Sequence, residues 1–273
     1  MADAGRARDL RIARPDGVEI RVRIEGAGPP VTLVHGVGAD LNSWDRIASR
    51  LVPHFTVVRP DLRGHGRSSR ITTCRMADFV GDLAGVLDRL GIGATDLVGF
   101  SLGGLIAQWF AIQHPARIRG LALISTVAER TPAERARVLE RADKVRGEGI
   151  ASVVAAAEDR WFTPAFKAAN PDIVARRLEQ LKANDLPSYA AAYRVFAEAD
   201  EGVDLARITH PTLVVTGEND LGSNPRMARR MHEAIAGSRL VILPELRHSV
   251  LLEAPDTIAD LLMEFLQRRQ SAA

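Results

Sequence analysis

The sequence predicts an α/β fold: a mainly parallel sheet with helices on both faces. Three observations carry this. Short apolar runs recur at residues 31–34, 55–58, 95–98, 118–124, 211–215 and 240–243. Continuous rather than alternating apolarity is what a strand buried on both faces requires. Between several of these runs lie helical stretches, at residues 44–51, 76–90, 102–113 and 227–235, an alternation that implies parallel strands joined by crossovers. One interval stands apart. Residues 128–207 hold no strand-like run, only helical patterning punctuated by Pro132, Pro164, Pro171 and Pro187.

Taken in order, the chain opens with two alternating segments, residues 10–13 and 18–24, separated by Arg14-Pro15-Asp16-Gly17, which reads as an antiparallel hairpin. The alternation of buried runs and helices follows. The interval 128–207 is too long for one crossover connection, and it is expected to be a helical insertion lying over the end of the sheet as a lid. Helices merely covering a sheet face would give the same pattern. The lid is preferred because the candidate catalytic residues flank the interval in sequence. The expected organisation is therefore a core of residues 1–127 and 208–273 with a lid of residues 128–207.

Composition narrows the function. The 273 residues are 46% hydrophobic and 26% charged, which excludes a disordered chain or a bare coiled coil. Net charge is only +2, and the 36 basic residues, nearly all Arg, are scattered; no nucleic-acid or anionic-membrane partner is expected. Cys74 is the single cysteine, which excludes an intramolecular disulfide and a multi-cysteine metal site. The first ten residues are polar without an apolar core, and no run approaches a transmembrane span. A cytoplasmic protein is expected, and a homo-oligomer is compatible with all of this.

The sharpest chemical signal is Gly99-Phe100-Ser101-Leu102-Gly103-Gly104, directly after the run 95–98 and before the helix 102–113. G-x-S-x-G in a strand–turn–helix context holds a serine out at the strand end above a helix N-terminus. A serine hydroxyl needs a base, and the base an orienting acid. His248 follows the last strand-like run through a short loop, and Asp220 lies just past the preceding one. All three fall after strand C-termini, where open α/β sheets place their sites, and their order, Ser then Asp then His, suits this architecture. His35-Gly36-Val37-Gly38 follows the run 31–34. The backbone N–H groups of Val37 and Leu102 are the expected oxyanion donors, while His35 is expected to fix its loop. Asp61-Leu62-Arg63-Gly64-His65-Gly66-Arg67-Ser68 reads as loop scaffolding.

These segments, together with Gly217-Glu218-Asn219-Asp220 and Glu253-Ala254-Pro255, resemble the α/β-hydrolase superfamily over residues 31 to 255. The resemblance implies an eight-stranded, mostly parallel sheet with a helical lid after the sixth strand. It also implies Ser101 as nucleophile, His248 as base and Asp220 as its partner, with no metal or cofactor. Within the superfamily, Arg160-Trp161-Phe162-Thr163-Pro164 resembles a lid segment of 3-oxoadipate enol-lactonases, which implies that Arg160 and Trp161 contact a carboxylate-bearing substrate. Arg247, before His248, departs from the small residue common in relatives.

The reading that follows is a serine hydrolase cleaving a carboxylic ester or enol-lactone of a small, anionic metabolite. Hydrolysis of a C–N bond in an acylaminomethylene-succinate type compound, or of a C–C bond, would use the same triad. Meta-cleavage C–C hydrolases usually carry an aromatic after the histidine, where this chain has Ser249. A ligand receptor that retains the fold is the competing reading from another class.

Overall fold

The computed structural model describes residues 5–270; residues 1–4, part of the polar N-terminal stretch, lie outside it. β1 (Gly5–Ala13) and β2 (Glu19–Gly26) form the antiparallel hairpin, with Leu10 opposite Val22 and Ile12 opposite Ile20. Gly17 closes its turn at φ +85°, a left-handed conformation that favours glycine. β1 runs further back than the residues 10–13 read from sequence. Its ladder continues along β2 through Arg8–Ile24 and Asp9–Arg23, pairs whose charged members carry no apolar alternation.

β2 pairs antiparallel with β4 (Thr56–Pro60), and parallel strands complete the sheet: β3 (Pro30–Val34), β5 (Thr95–Phe100), β6 (Ile118–Ile124), β7 (Thr212–Gly217) and β8 (Arg239–Leu243). The eight strands lie in the order β1-β2-β4-β3-β5-β6-β7-β8. From β3 the chain steps outward to β4, then crosses back to β5 on the other side and continues to β6. The neighbours β3 and β5 therefore flank the point where strand order reverses, and the crevice beyond their C-terminal ends is where such sheets bind ligands.

Side chains alternate between two buried layers. On β5 to β7, Leu97, Leu121, Leu123 and Val214 face α2 (Met76–Arg89), α3 (Leu102–Gln113) and α9 (Pro225–Ala234). Val98, Ala122, Ile124, Leu213 and Val215 face α1 (Asp45–Leu51) and α11 (Pro255–Gln270). Both faces are covered, so the strands read as uninterrupted apolar runs. Helix α9 begins at Pro225, two residues before the sequence pattern suggests, because Asn224 Oδ1 accepts the Met227 N–H and Pro225 occupies the first turn.

Between β6 and β7 the described chain is helical: α4 (Pro132–Glu148), α5 (Val154–Trp161), α6 (Pro164–Ala169), α7 (Pro171–Lys182) and α8 (Leu186–Glu198), with short 3-10 turns between. The four prolines that punctuate the sequence stand in the first turns of α4, α6, α7 and α8, where a missing N–H leaves no hydrogen bond unmade. Thr131, Thr163 and Asp185 cap three of these helices with side-chain oxygens. The helices share a small core of their own around Val138, Val145, Leu181 and Tyr189. Their two stems are clamped by a buried ion pair, Arg130 to Asp200 at 2.7 Å, reinforced by the Trp109 indole donating to the Ala199 carbonyl. No described helix is long and apolar enough to cross a membrane.

Candidate active site

Ser101 sits between β5 and α3 with φ 54° and ψ −116°, a strained conformation for a residue with a side chain. The turn is over-determined. The Ser101 N–H donates to the Ile124 carbonyl, and its own carbonyl accepts from Gly104 N–H, Leu105 N–H and Thr126 Oγ1. Close approach explains the flanking glycines. A Cβ on Gly99 would lie 2.3 Å from the Gly103 carbonyl oxygen, and one on Gly103 would lie 2.2 Å from that of Val34.

The structure brings Ser101, His248 and Asp220 together. His248 Nε2 stands 3.3 Å from Ser101 Oγ, and His248 Nδ1 stands 2.7 Å from Asp220 Oδ2. The other Asp220 oxygen accepts the Gly222 and Ser223 N–H groups at 2.9 Å each. A carboxylate so held can only accept, so the imidazole proton belongs on Nδ1 and the Nε2 lone pair faces the serine hydroxyl. The Phe100 ring packs against His248 with centroids 5.1 Å apart.

The loop after β3 comes against the serine from the neighbouring strand. A Cβ on Gly36 would press on Ser101 Cβ at 3.0 Å and on the Phe100 ring at 3.1 Å, so glycine lets the Gly36-Val37 backbone come this close without displacing either. The N–H groups of Val37 and Leu102 have no hydrogen-bond acceptor among the described residues. His35 fixes this loop. Its Nε2 accepts the Leu62 N–H at 3.0 Å, so Nδ1 carries the proton and donates to the Gly36 carbonyl at 2.8 Å. His65 packs edge-on against it at 5.4 Å and donates from Nδ1 to the Arg63 carbonyl, while its buried Nε2 has no partner. Asp61 gathers the Leu41 and Arg67 N–H groups and the Arg21 guanidinium. The segment from Asp61 to Ser68 is thus scaffolding beneath the site.

This histidine pair has a consequence for pH. Burial, with His35 adding to it, pulls His65 from the ordinary 6.5 down to about 3. Below pH 6.5 the unfolded chain binds a proton that native His65 refuses, so its contribution to stability is fully present above that pH. It is lost as pH falls toward 3. Between pH 6.5 and 4.5, wild type should lose about 2–3 kcal/mol of unfolding free energy more than His65→Gln, as read from urea unfolding at each pH. Equal slopes would remove His65 from the account.

Beyond the serine opens a cavity of about 960 Å³. Ser101, His248 and Val37 line it from the sheet side; Arg160, Trp161, Tyr189 and Tyr193 line it from the inserted helices. Both residues singled out in the segment Arg160-Trp161-Phe162-Thr163-Pro164 therefore reach it. Arg160 is half-buried and forms no ion pair with a described carboxylate. Burial pulls its guanidinium below its ordinary range, opposed by Tyr193 and Asp220. The sequence reading missed Arg137, Arg141 and Arg177, which line the same cavity and likewise lack a described carboxylate partner. Arg141 Nε donates to the Tyr193 hydroxyl, and Arg177 lies 4.4 Å over the Trp161 ring. The cavity is electropositive. Among the described residues no cluster of three His, Cys, Asp or Glu side chains is placed to hold a metal ion.

Arg247 has a defined task. Its guanidinium donates to the carbonyls of Asp159 and Phe162, tying the His248 loop to the end of α5. The Ser249 N–H donates to the Trp161 carbonyl, and Glu253 accepts both the N–H and the hydroxyl of Thr163. The loop that carries His248 and the segment that carries Arg160 are therefore tied to each other. Arg247→Ala, which removes two charge-assisted hydrogen bonds, should lower kcat/KM about tenfold and to the same extent for neutral and anionic esters. An unchanged kcat/KM would show that Ser249 and Glu253 hold the segment without it.

Comparison with known proteins bears on the family and the fold. The profile of the alpha/beta hydrolase fold matches residues 29–255. The chain is 32% identical to 3-oxoadipate enol-lactonase 2 of Acinetobacter baylyi, over 83% of this chain and 84% of that protein. It is 30% identical to the (E)-2-((N-methylformamido)methylene)succinate hydrolase of the same organism, over 89% of this chain and 92% of that one. Among solved structures, an enol-lactonase from Burkholderia xenovorans superposes with a TM-score of 0.87 at 30% identity, covering 95% of this chain and all of that one.

Proposed function

Because the chain belongs to the α/β-hydrolase family, we propose that it cleaves a carboxylic ester or enol-lactone of a small, anionic metabolite through an acyl-enzyme on Ser101. The observation that carries this reading is the hydrogen-bonded series Ser101–His248–Asp220, with spacings of 3.3 and 2.7 Å, opening into a cavity lined by unpaired arginines. In this mechanism Ser101 Oγ attacks the carbonyl carbon as His248 Nε2 accepts its proton. Asp220 holds the imidazole and stabilises the imidazolium. The Val37 and Leu102 N–H groups receive the oxyanion. His248 then returns the proton to the leaving oxygen and activates a water that releases the acid. The inserted helices act as a lid of residues 128–207 that excludes bulk water and carries Arg160 to the substrate.

Likeness to a succinate-type C–N hydrolase supports a second reading, in which the same triad attacks an amide-type carbonyl. A panel of short-chain esters, lactones and N-acyl dicarboxylates, assayed for acid release, tests both. The expected result is turnover that favours anionic substrates. Thermal stabilisation by ligands with no turnover of any would replace the enzyme with a receptor.

A further inference from the structure

We infer that Arg177 is a second anion-recognition point in this cavity, and that the substrate carries two carboxylates, one for Arg160 and one for Arg177. The inference rests on the hydrolase reading for the word substrate, but on the cavity's own residues for the binding chemistry. This protein's buried guanidinium groups set a rule. Arg21, Arg59, Arg63 and Arg130 are all buried, and each is matched by carboxylates: Asp9 and Asp61, Glu25 and Asp45, Asp82 and Asp16, and Asp200. That is the rule for a charge removed from water.

Arg177 is half-buried, and at its buried end it departs from that rule. It projects from α7 into the cavity that Ser101 lines, and its Nη1 is buried with no hydrogen-bond partner. No carboxylate among the described residues forms an ion pair with it. Asp40, the acid on the same cavity wall, spends one oxygen capping the Asn42 N–H. Burial pulls the guanidinium down to about 10, with Tyr189 and Asp40 only partly opposing. Its one strong contact is the Trp161 ring, 4.4 Å from the guanidinium carbon. A cation–π contact is weaker than the desolvation it has to offset, so the ring holds the guanidinium plane without neutralising it. The missing counter-charge belongs on the cavity side. A carboxylate meets a guanidinium edge in a two-bond fork, and packing against Trp161 limits the guanidinium's freedom before such a fork forms.

The other positive groups do not duplicate this role. Arg141 already donates to Tyr193, and Arg137 and Arg176, which also line the cavity, are exposed. Arg160 stands on α5 and Arg177 on α7, and both line the cavity. Two guanidinium groups on different helices, neither in an ion pair with a described carboxylate, suit one ligand with two anionic ends.

Calorimetric binding to the full chain carrying Ser101→Ala tests this without turnover. The ligands are glutarate, adipate and pimelate, each against the monocarboxylate of equal length. The best dicarboxylate should bind at least about tenfold tighter than its monocarboxylate. Adding Arg177→Met, which keeps an apolar stem against Trp161, should abolish that margin while changing monocarboxylate affinity less than about threefold. Arg177→Lys, which keeps the charge but not the fork, should restore part of it, and it serves as the readout if the methionine variant does not fold. A parent protein with no dicarboxylate margin, or an equal loss for both ligand classes, overturns the proposal. Fluorophosphonate labelling of the unmodified chain reports on the hydrolase reading separately. Labelling without a margin removes only the Arg177 assignment. A margin that Arg177→Met abolishes, in a protein that neither labels nor turns over, removes only the hydrolase reading.

Discussion

Ser101→Ala is expected to abolish both ester turnover and covalent labelling by a fluorophosphonate, which in wild type should add once, at Ser101. The expectation follows from geometry: the hydroxyl stands 3.3 Å from His248 Nε2, at the C-terminal end of β5 beside the β3–β5 crevice. His248→Ala and Asp220→Asn should each lower kcat on the order of 10⁴-fold. The asparagine variant tests the tautomer argument directly. An amide facing Nδ1 can donate where the carboxylate only accepts, which moves the imidazole proton to Nε2 and blunts the base. Losses in the double variant should fall far short of the sum, because the three residues act as one unit. Mass spectrometry of labelled protein and single-turnover kinetics are the measurements. Labelling that persists in Ser101→Ala would move the nucleophile elsewhere.

Arg160→Ala is expected to have the next largest effect, and a selective one. Its guanidinium lines the cavity and forms no ion pair with a described carboxylate, so an anionic substrate both gains and supplies the missing charge. Removing the arginine should raise the barrier by about 2–5 kcal/mol for an ester carrying a carboxylate. A neutral ester of similar shape should lose less than about 1 kcal/mol. The measurement is kcat/KM for the two substrates in both proteins. Equal losses would mean that Arg160 holds the inserted helices in place; no loss for either would return it to solvent. The contrast with Arg247 is part of the test, since the Arg247 guanidinium donates to protein carbonyls and should not distinguish the substrates.

Much of this site was legible in the chain because its requirements are local. Gly99 and Gly103 are demanded by backbone atoms within a few residues or on the adjacent strand, so the elbow announces itself as a five-residue pattern. The strand runs were legible because both sheet faces are covered. The starts of the inserted helices were legible because proline and a capping oxygen mark the first turn whatever the tertiary context. Where boundaries moved, as at Pro225, the cap residue Asn224 decided the helix start before the apolar pattern began.

The sequence by itself determined the α/β class, the helical character of the segment between β6 and β7, and the candidate trio Ser101, Asp220 and His248 with their order. Only the tertiary structure decided how these parts meet. Ser101 and His248 lie 147 residues apart in sequence, and Arg247 and Asp159 lie 88 apart. Arg177 reads in sequence as one more basic residue on a helix, and Trp161 as its distant neighbour. Their stacking, and the absence of a paired carboxylate around Arg177, exist only once α5 and α7 are packed over the cavity. The physical reason is range. Steric and hydrogen-bonding demands on the backbone act over a few residues and leave a pattern there, whereas charge compensation is a sum over everything brought near a group, and that sum is defined only by the folded chain.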